Sequence, residues 1–104
     1  QNTTPLKFIE RYCSKLNINQ ELTKVCKFAA KQIESKKLIP ENTPQSVAAG
    51  IIYFVSLTCN LSVSKRDVWH RTDTSEVTIG KCYAKLEKHK HELIPPVILE
   101  KYRK

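Results

Sequence analysis

The 104-residue sequence has no methionine, two glycines and three histidines. It contains no Gly-rich loop of the kind that cradles phosphates and no G-x-S-x-G elbow, which excludes two large enzyme classes. Its four cysteines, Cys13, Cys26, Cys59 and Cys82, include no C-x-x-C pair, and with so few histidines zinc-ligand spacing is missing. His89 and His91 stand two apart, so on a helix they face different ways. Asp67 and Asp73 flank His70, but capping and turn roles account for both aspartates. The expectation is a protein that is not an enzyme, with no catalytic residues, no cofactor and no metal.

The start lacks the basic, apolar, small-residue plan of a secretory signal. A chain opening on Gln1 without methionine reads as a processed product or a fragment. Spacing alone leaves disulfides open. Each cysteine nevertheless lies among apolar neighbours at helical steps, which predicts buried reduced thiols in a cytosolic or nuclear protein. N-x-S/T matches at Asn2 and Asn60 read as chance.

Charge is absent from one long window. Between Asn42 and Ser64 there is no Lys, Arg, Asp, Glu or His, although the formal net charge of the chain is +8. The apolar run inside it, SVAAGIIYFVSLTC, falls short of the ~20 residues that span a bilayer. It is the centre of a core instead. IIYFV alone would suit a strand. Thr43 as N-cap with Pro44 at the first helical position argues for a helix, and apolar residues on every side predict that it is wholly buried.

Periodicity supplies the remaining elements. Leu6, Ile9, Tyr12, Cys13 and Leu16 recur at three- and four-residue steps, behind a Thr4 cap and Pro5. Asn19 caps a second stripe of Leu22, Val25, Cys26, Ala29 and Ile33, which Leu38, Ile39 and Pro40 end. Ser64 and Asp67 form a capping-box pair before VWHRT. A last helix follows the polar turn TDTS and stops at Pro95 and Pro96. The sequence thus predicts an all-α domain over 1–94 with helices at about 5–16, 19–37, 44–59, 64–71 and 75–92, and a tail over 95–104, extended or with one more turn.

On a wheel of about 100° per residue, Ile79, Cys82, Tyr83, Leu86 and Leu93 share one side of the last helix. Val77, Lys81, Lys85 and Lys88 fall on the other. The bland reading is a solvated basic face with one stray valine. The sharper reading is a helix-turn-helix, whose second helix enters the DNA major groove by its N-terminus. The net positive charge favours an anionic partner. Ser75, Val77 and Thr78 would then lie nearest the bases, and Lys65, Arg66, Lys81, Lys85 and Lys88 would engage phosphates. Thr43, Gln45 and Ser46, at the start of the central helix, are further candidates for phosphate contact.

Three stretches, FIERYCSKLNI, TPQSVAAGIIYFVS and SEVTIGKCYAKL, resemble in order and spacing the second cyclin-like repeat of transcription factor IIB. The matching residues are Phe8, Arg11, Tyr12, Cys13 and Leu16, then Thr43, Pro44, Ser46, Val47, Ala48, Ile52 and Tyr53, then Val77, Thr78, Ile79 and Tyr83. The resemblance covers roughly residues 6 to 94. It implies a five-helix cyclin-like bundle with a central buried helix and a C-terminal helix-turn-helix. It also implies a fragment of a general transcription initiation factor, a monomer away from membranes, whose partners are double-stranded promoter DNA, TATA-binding protein and the RNA polymerase machinery. The location implied is nuclear, or a cytoplasmic replication site for a viral homologue. The chain departs from the family at Gly80, where many relatives carry the arginine suited to guanine. It departs again at Arg71, Thr72, Asp73 and Thr74, where relatives show I-A-G-V, so the turn glycine is missing. The competing expectation is a cyclin-like module that binds protein only.

Overall fold

The computed structural model describes residues 5–38 and 43–102. Among them the chain is helical without strands, as expected. The helices are α1 (Pro5–Lys15), α2 (Gln20–Lys36), α3 (Pro44–Thr58), α4 (Lys65–Thr72), α5 (Glu76–Glu87), α6 (Lys90–Leu93) and α7 (Pro96–Lys101). The proposed cap Thr4, the residues Ile39 and Pro40 and the sequon at Asn2 lie outside the described residues.

Local chemistry starts most of these helices. The Asn19 side chain accepts from the Leu22 N–H at 2.8 Å, and Thr43 Oγ1 accepts from the Ser46 N–H at 3.2 Å, with Pro44 at the first position of α3. Each cap satisfies an N–H that the first helical turn leaves unpaired. At its far end α2 is closed by Lys37 in the left-handed region (φ 53°), whose N–H donates to the Ile33 carbonyl.

The apolar middle of the uncharged window is the centre of the molecule, although α3 is not wholly buried as expected: Leu57 is 43% exposed and Pro44, Gln45, Ser46, Tyr53 and Thr58 are half-buried at the periphery of the packing. α3 packs against α1, α2, α4 and α5, and Val47 through Ile52, with Phe54, Val55 and Ser56, are buried. The larger core joins Ile9, Tyr12 and Cys13 of α1 to the stripe of α2, to α3, and to Leu86, Leu93, Ile94 and Ile98. A smaller cluster of Ala49, Val68 and Ile79 fastens α4 and α5 to α3. All four cysteines are buried thiols.

Another departure from the sequence reading lies at the C-terminal end. The helix expected over 75–92 stops at Glu87, and Lys88 forms its cap. The His89 N–H then donates to the Leu86 carbonyl at 2.9 Å, a tight closure that turns the chain so that Leu93 and Ile94 reach the core. Glu92 fixes the turn by accepting from Lys36 at 2.8 Å and pairing with His89 at 3.1 Å. Beyond it, of the two forms expected for the tail, residues 96–101 take the helical one, somewhat longer than a single turn, and pack on the domain. Ile98 is buried, Tyr102 Oη donates to Glu21 at 2.7 Å, Lys101 reaches the same carboxylate at 2.9 Å, and Asn60 Nδ2 donates to the Tyr102 carbonyl at 2.7 Å.

Candidate nucleic-acid interface

Helices α4 and α5 form the candidate interface, and a reciprocal cap begins it. The Asp67 N–H donates to Ser64 Oγ at 3.1 Å, and the Ser64 N–H donates to the Asp67 carboxylate at 3.0 Å. The Ser64 backbone bond, then the Ser64 hydroxyl, hold the Asp67 carboxyl below its ordinary range. Val68 is the buried anchor of α4. Trp69 is a surface ring, 40% exposed, lying 4.7 Å from the His70 ring between centroids.

The turn between α4 and α5 is made without glycine. Asp73 takes the left-handed conformation (φ 57°, ψ 24°), and its N–H donates to the Trp69 carbonyl. Aspartate tolerates this region better than most residues that bear a Cβ. The flanking threonines add hydrogen bonds to the turn. The Thr72 hydroxyl donates to the Val68 carbonyl at 2.7 Å, and the Thr74 N–H donates to Thr72 Oγ1 at 3.3 Å. Both threonines are buried.

From this turn α5 starts at a Ser75 cap. The Thr78 N–H donates to Ser75 Oγ at 3.2 Å, and the Ser75 hydroxyl donates to Thr78 Oγ1 at 3.0 Å. Ile79 is fully buried, whereas Val77 is 66% exposed. Lys81 and Lys88 are exposed and Lys85 is half-buried. Tyr83 is half-buried and packs edge-on to Tyr53, with ring centroids 5.4 Å apart. Burial, then the Glu87 hydrogen bond, push its phenol up.

The sites expected from sequence are thus not equivalent. Val77 and Lys81 present open surface. Ser75 and Thr78 share a hydroxyl bond, so the Ser75 hydroxyl serves the helix before any ligand. Arg66 is exposed and Lys65 half-buried on the first turn of α4. At the start of α3, Thr43 and Ser46 bond each other, with Thr43 donating at 2.9 Å. The Gln45 amide donates to the Thr72 carbonyl at 2.8 Å. Gln45 therefore braces the turn between α4 and α5, and its side chain is engaged inside the protein.

Two features escaped the sequence reading. Glu76 is exposed in the first turn of α5, beside Val77. There it suits the positive end of the helix dipole and opposes an incoming polyanion. Gly80 lies under Lys65: a Cβ on Gly80 would stand 3.2 Å from the Lys65 ammonium. The glycine in the middle of a helix was the available signal, but the contact crosses from one helix to another.

The profile of the transcription factor TFIIB repeat matches residues 1–89. The chain belongs to the TFIIB repeat family. It is 31% identical over 87 residues, 84% of this chain and 19% of the relative, to a transcription initiation factor IIB-like protein of Acanthamoeba polyphaga mimivirus. It is 32% identical over 94 residues, 89% of this chain and 30% of the relative, to transcription initiation factor IIB of Encephalitozoon cuniculi. With the Methanosarcina mazei factor of the same name it shares 32% over 84 residues, 81% of this chain and 25% of that protein. The chain therefore spans less than a third of the length of these relatives.

The TFIIB repeat accounts for the cyclin-like arrangement around α3. In this repeat, among the described residues, no group of three or more His, Cys, Asp or Glu side chains could hold a metal ion. No described helix is long and apolar enough to cross a membrane.

Proposed function

We propose that this TFIIB repeat is the second, C-terminal repeat of a transcription initiation factor and docks on promoter DNA beside TATA-binding protein. In this reading α5 enters the major groove N-terminus first. Val77 meets a thymine methyl, the Thr78 hydroxyl meets a base edge or phosphate, and Lys81, Lys88 and Arg66 neutralise phosphates. The repeat clamps a bent promoter complex and so helps to recruit RNA polymerase. The location follows the factor: the nucleus, or a cytoplasmic replication site if the chain serves a virus.

One observation carries the reading. The turn held by Asp73, Thr72 and Gln45 leaves Val77 and Lys81 outward while Ile79 is locked inward. A lone exposed valine means little, but here it sits at the leading end of the second helix of a braced helix pair.

The test is a gel shift on promoter duplex, with and without TATA-binding protein. The expected result is a shift that weakens steeply with salt, with a log–log slope of about −0.9 per phosphate neutralised. Lys81→Glu with Lys88→Glu abolishes the shift while the helical spectrum is kept. A shift that these changes leave untouched removes α5 from the interface. Salt-insensitive association with TATA-binding protein, without DNA contact, would favour the protein-only module.

A further inference from the structure

Gly80 sits in the middle of α5, where a glycine weakens a helix relative to alanine. Its φ is not positive, so no turn or backbone conformation requires it. The side chain that borders the open space at Gly80 is Lys65: a Cβ there would stand 3.2 Å from Lys65 Nζ, so that the ammonium would have to give by a few tenths of an ångström, and 3.6 Å from Cε, an ordinary contact. Lys65 in turn opens α4, where the positive end of the helix dipole disfavours a cation. Neither residue is therefore explained by the stability of its own helix. Together they place an ammonium from α4 on α5, one residue before the exposed Lys81.

We infer that Gly80 is the seat that positions Lys65 to neutralise a DNA phosphate, and that Lys65 is a phosphate-contacting and not a base-reading residue. The inference rests on the DNA-binding reading of α5. The ammonium is a compact point charge with three rotatable donors, suited to a phosphate oxygen and without the planar fork that pairs two acceptors on a guanine edge. Half-burial on the glycine limits the positions its long stem takes, so less freedom is lost on binding. The contact adds affinity without sequence preference.

A double-mutant cycle on the full chain with TATA-binding protein, on A·T-rich and G·C-rich promoter duplexes, tests this. Lys65→Gln is expected to lower the salt slope by about 0.9 and to weaken both duplexes by the same factor. Lys65→Arg restores the slope. Gly80→Leu fills the seat, displaces the ammonium and lowers the slope by the same amount, while the thermal midpoint does not fall. In the Lys65→Gln background, Gly80→Leu changes the slope no further. Acetylation of Lys65 by an amine-reactive reagent is expected to be slowed by DNA in the unmutated chain, a readout independent of any variant.

Slope losses that add in the double variant, a loss confined to G·C-rich duplex, or Lys65 acetylation indifferent to DNA would each overturn the inference. If Lys81→Glu abolishes the shift while Lys65→Gln leaves the slope intact, only this inference falls. An unmutated chain that binds neither duplex removes the DNA-binding reading and this inference with it.

Discussion

Gly50 and Cys82 face each other where α3 crosses α5, so closely that a Cβ on the glycine would overlap the cysteine Cβ. The clash would be with an atom next to the backbone, which no rotamer change relieves. Gly50→Ala gains about 1 kcal/mol of helix propensity but sets it against about 1–3 kcal/mol of overpacking. The expected outcome is a net loss, read as a lower urea midpoint with an unchanged denaturant slope. Adding Cys82→Gly should recover part of it.

The left-handed residue between α4 and α5 gives a second test. Asp73→Ala places a less tolerant residue at φ 57° and is expected to cost about 1 kcal/mol. Asp73→Gly should be close to neutral, because relief of strain is offset by the extra freedom of glycine in the unfolded chain. Thermal midpoints of the two variants check the order. Equal loss in both would mean that the aspartate side chain, and not its backbone, holds the turn.

Ser56 carries the one buried side-chain polar atom without a hydrogen-bond partner among the described residues. An unsatisfied buried hydroxyl costs about 1–3 kcal/mol. Ser56→Ala is expected to raise stability by about 1 kcal/mol, several degrees in the thermal midpoint for a domain of this size. A drop in the midpoint would show that the hydroxyl has a partner such as buried water.

Three surface carboxyls are expected to contribute to the loss of stability in acid. Glu21 is held below its ordinary range by hydrogen bonds from Lys101, then Tyr102, Glu92 by bonds from Lys36, then His89, and Asp67 by Ser64. A lowered folded-state pKa means that the contribution is complete above the unfolded carboxyl range, about 4 to 4.5. It is lost as pH falls through the folded value. The thermal midpoint should therefore fall progressively below about pH 4, and less steeply in Glu21→Gln. These groups lie at the surface, so added salt should weaken the effect.

Glu76 tests the proposed polarity of the α5 face. If DNA approaches the start of α5, Glu76→Gln removes a repelling charge, and affinity at low salt should rise roughly threefold. The domain itself should lose a little stability at the helix start. Unchanged or weaker binding would place the duplex elsewhere.

Much of the architecture was legible because its determinants are local. Asn19, Thr43 with Pro44, Ser64 with Asp67, and Ser75 each sit beside the N–H groups they satisfy, and the uncharged window marks the helix enclosed by the others. The break at Lys88 was not legible, since no glycine or proline marks it. It follows from Leu93 and Ile94 reaching the core and from Lys36, distant in sequence, pairing with Glu92. Pro95 and Pro96 read as a stop, yet a proline at the first position also starts a helix, and α7 begins there. At the candidate site, the outward Val77 and Lys81 followed from the wheel. The engagement of Gln45 with Thr72, and of Lys65 with Gly80, joins separate helices that no periodicity connects.

The enclosed thiols have a practical consequence. Cys13, Cys26, Cys59 and Cys82 sample α1, α2, the end of α3 and α5, so an alkylating reagent reaches each one only when its surroundings part. Timed labelling followed by mass spectrometry would turn the four sulfurs into clocks, one for each region, and rank which part of the molecule breathes first.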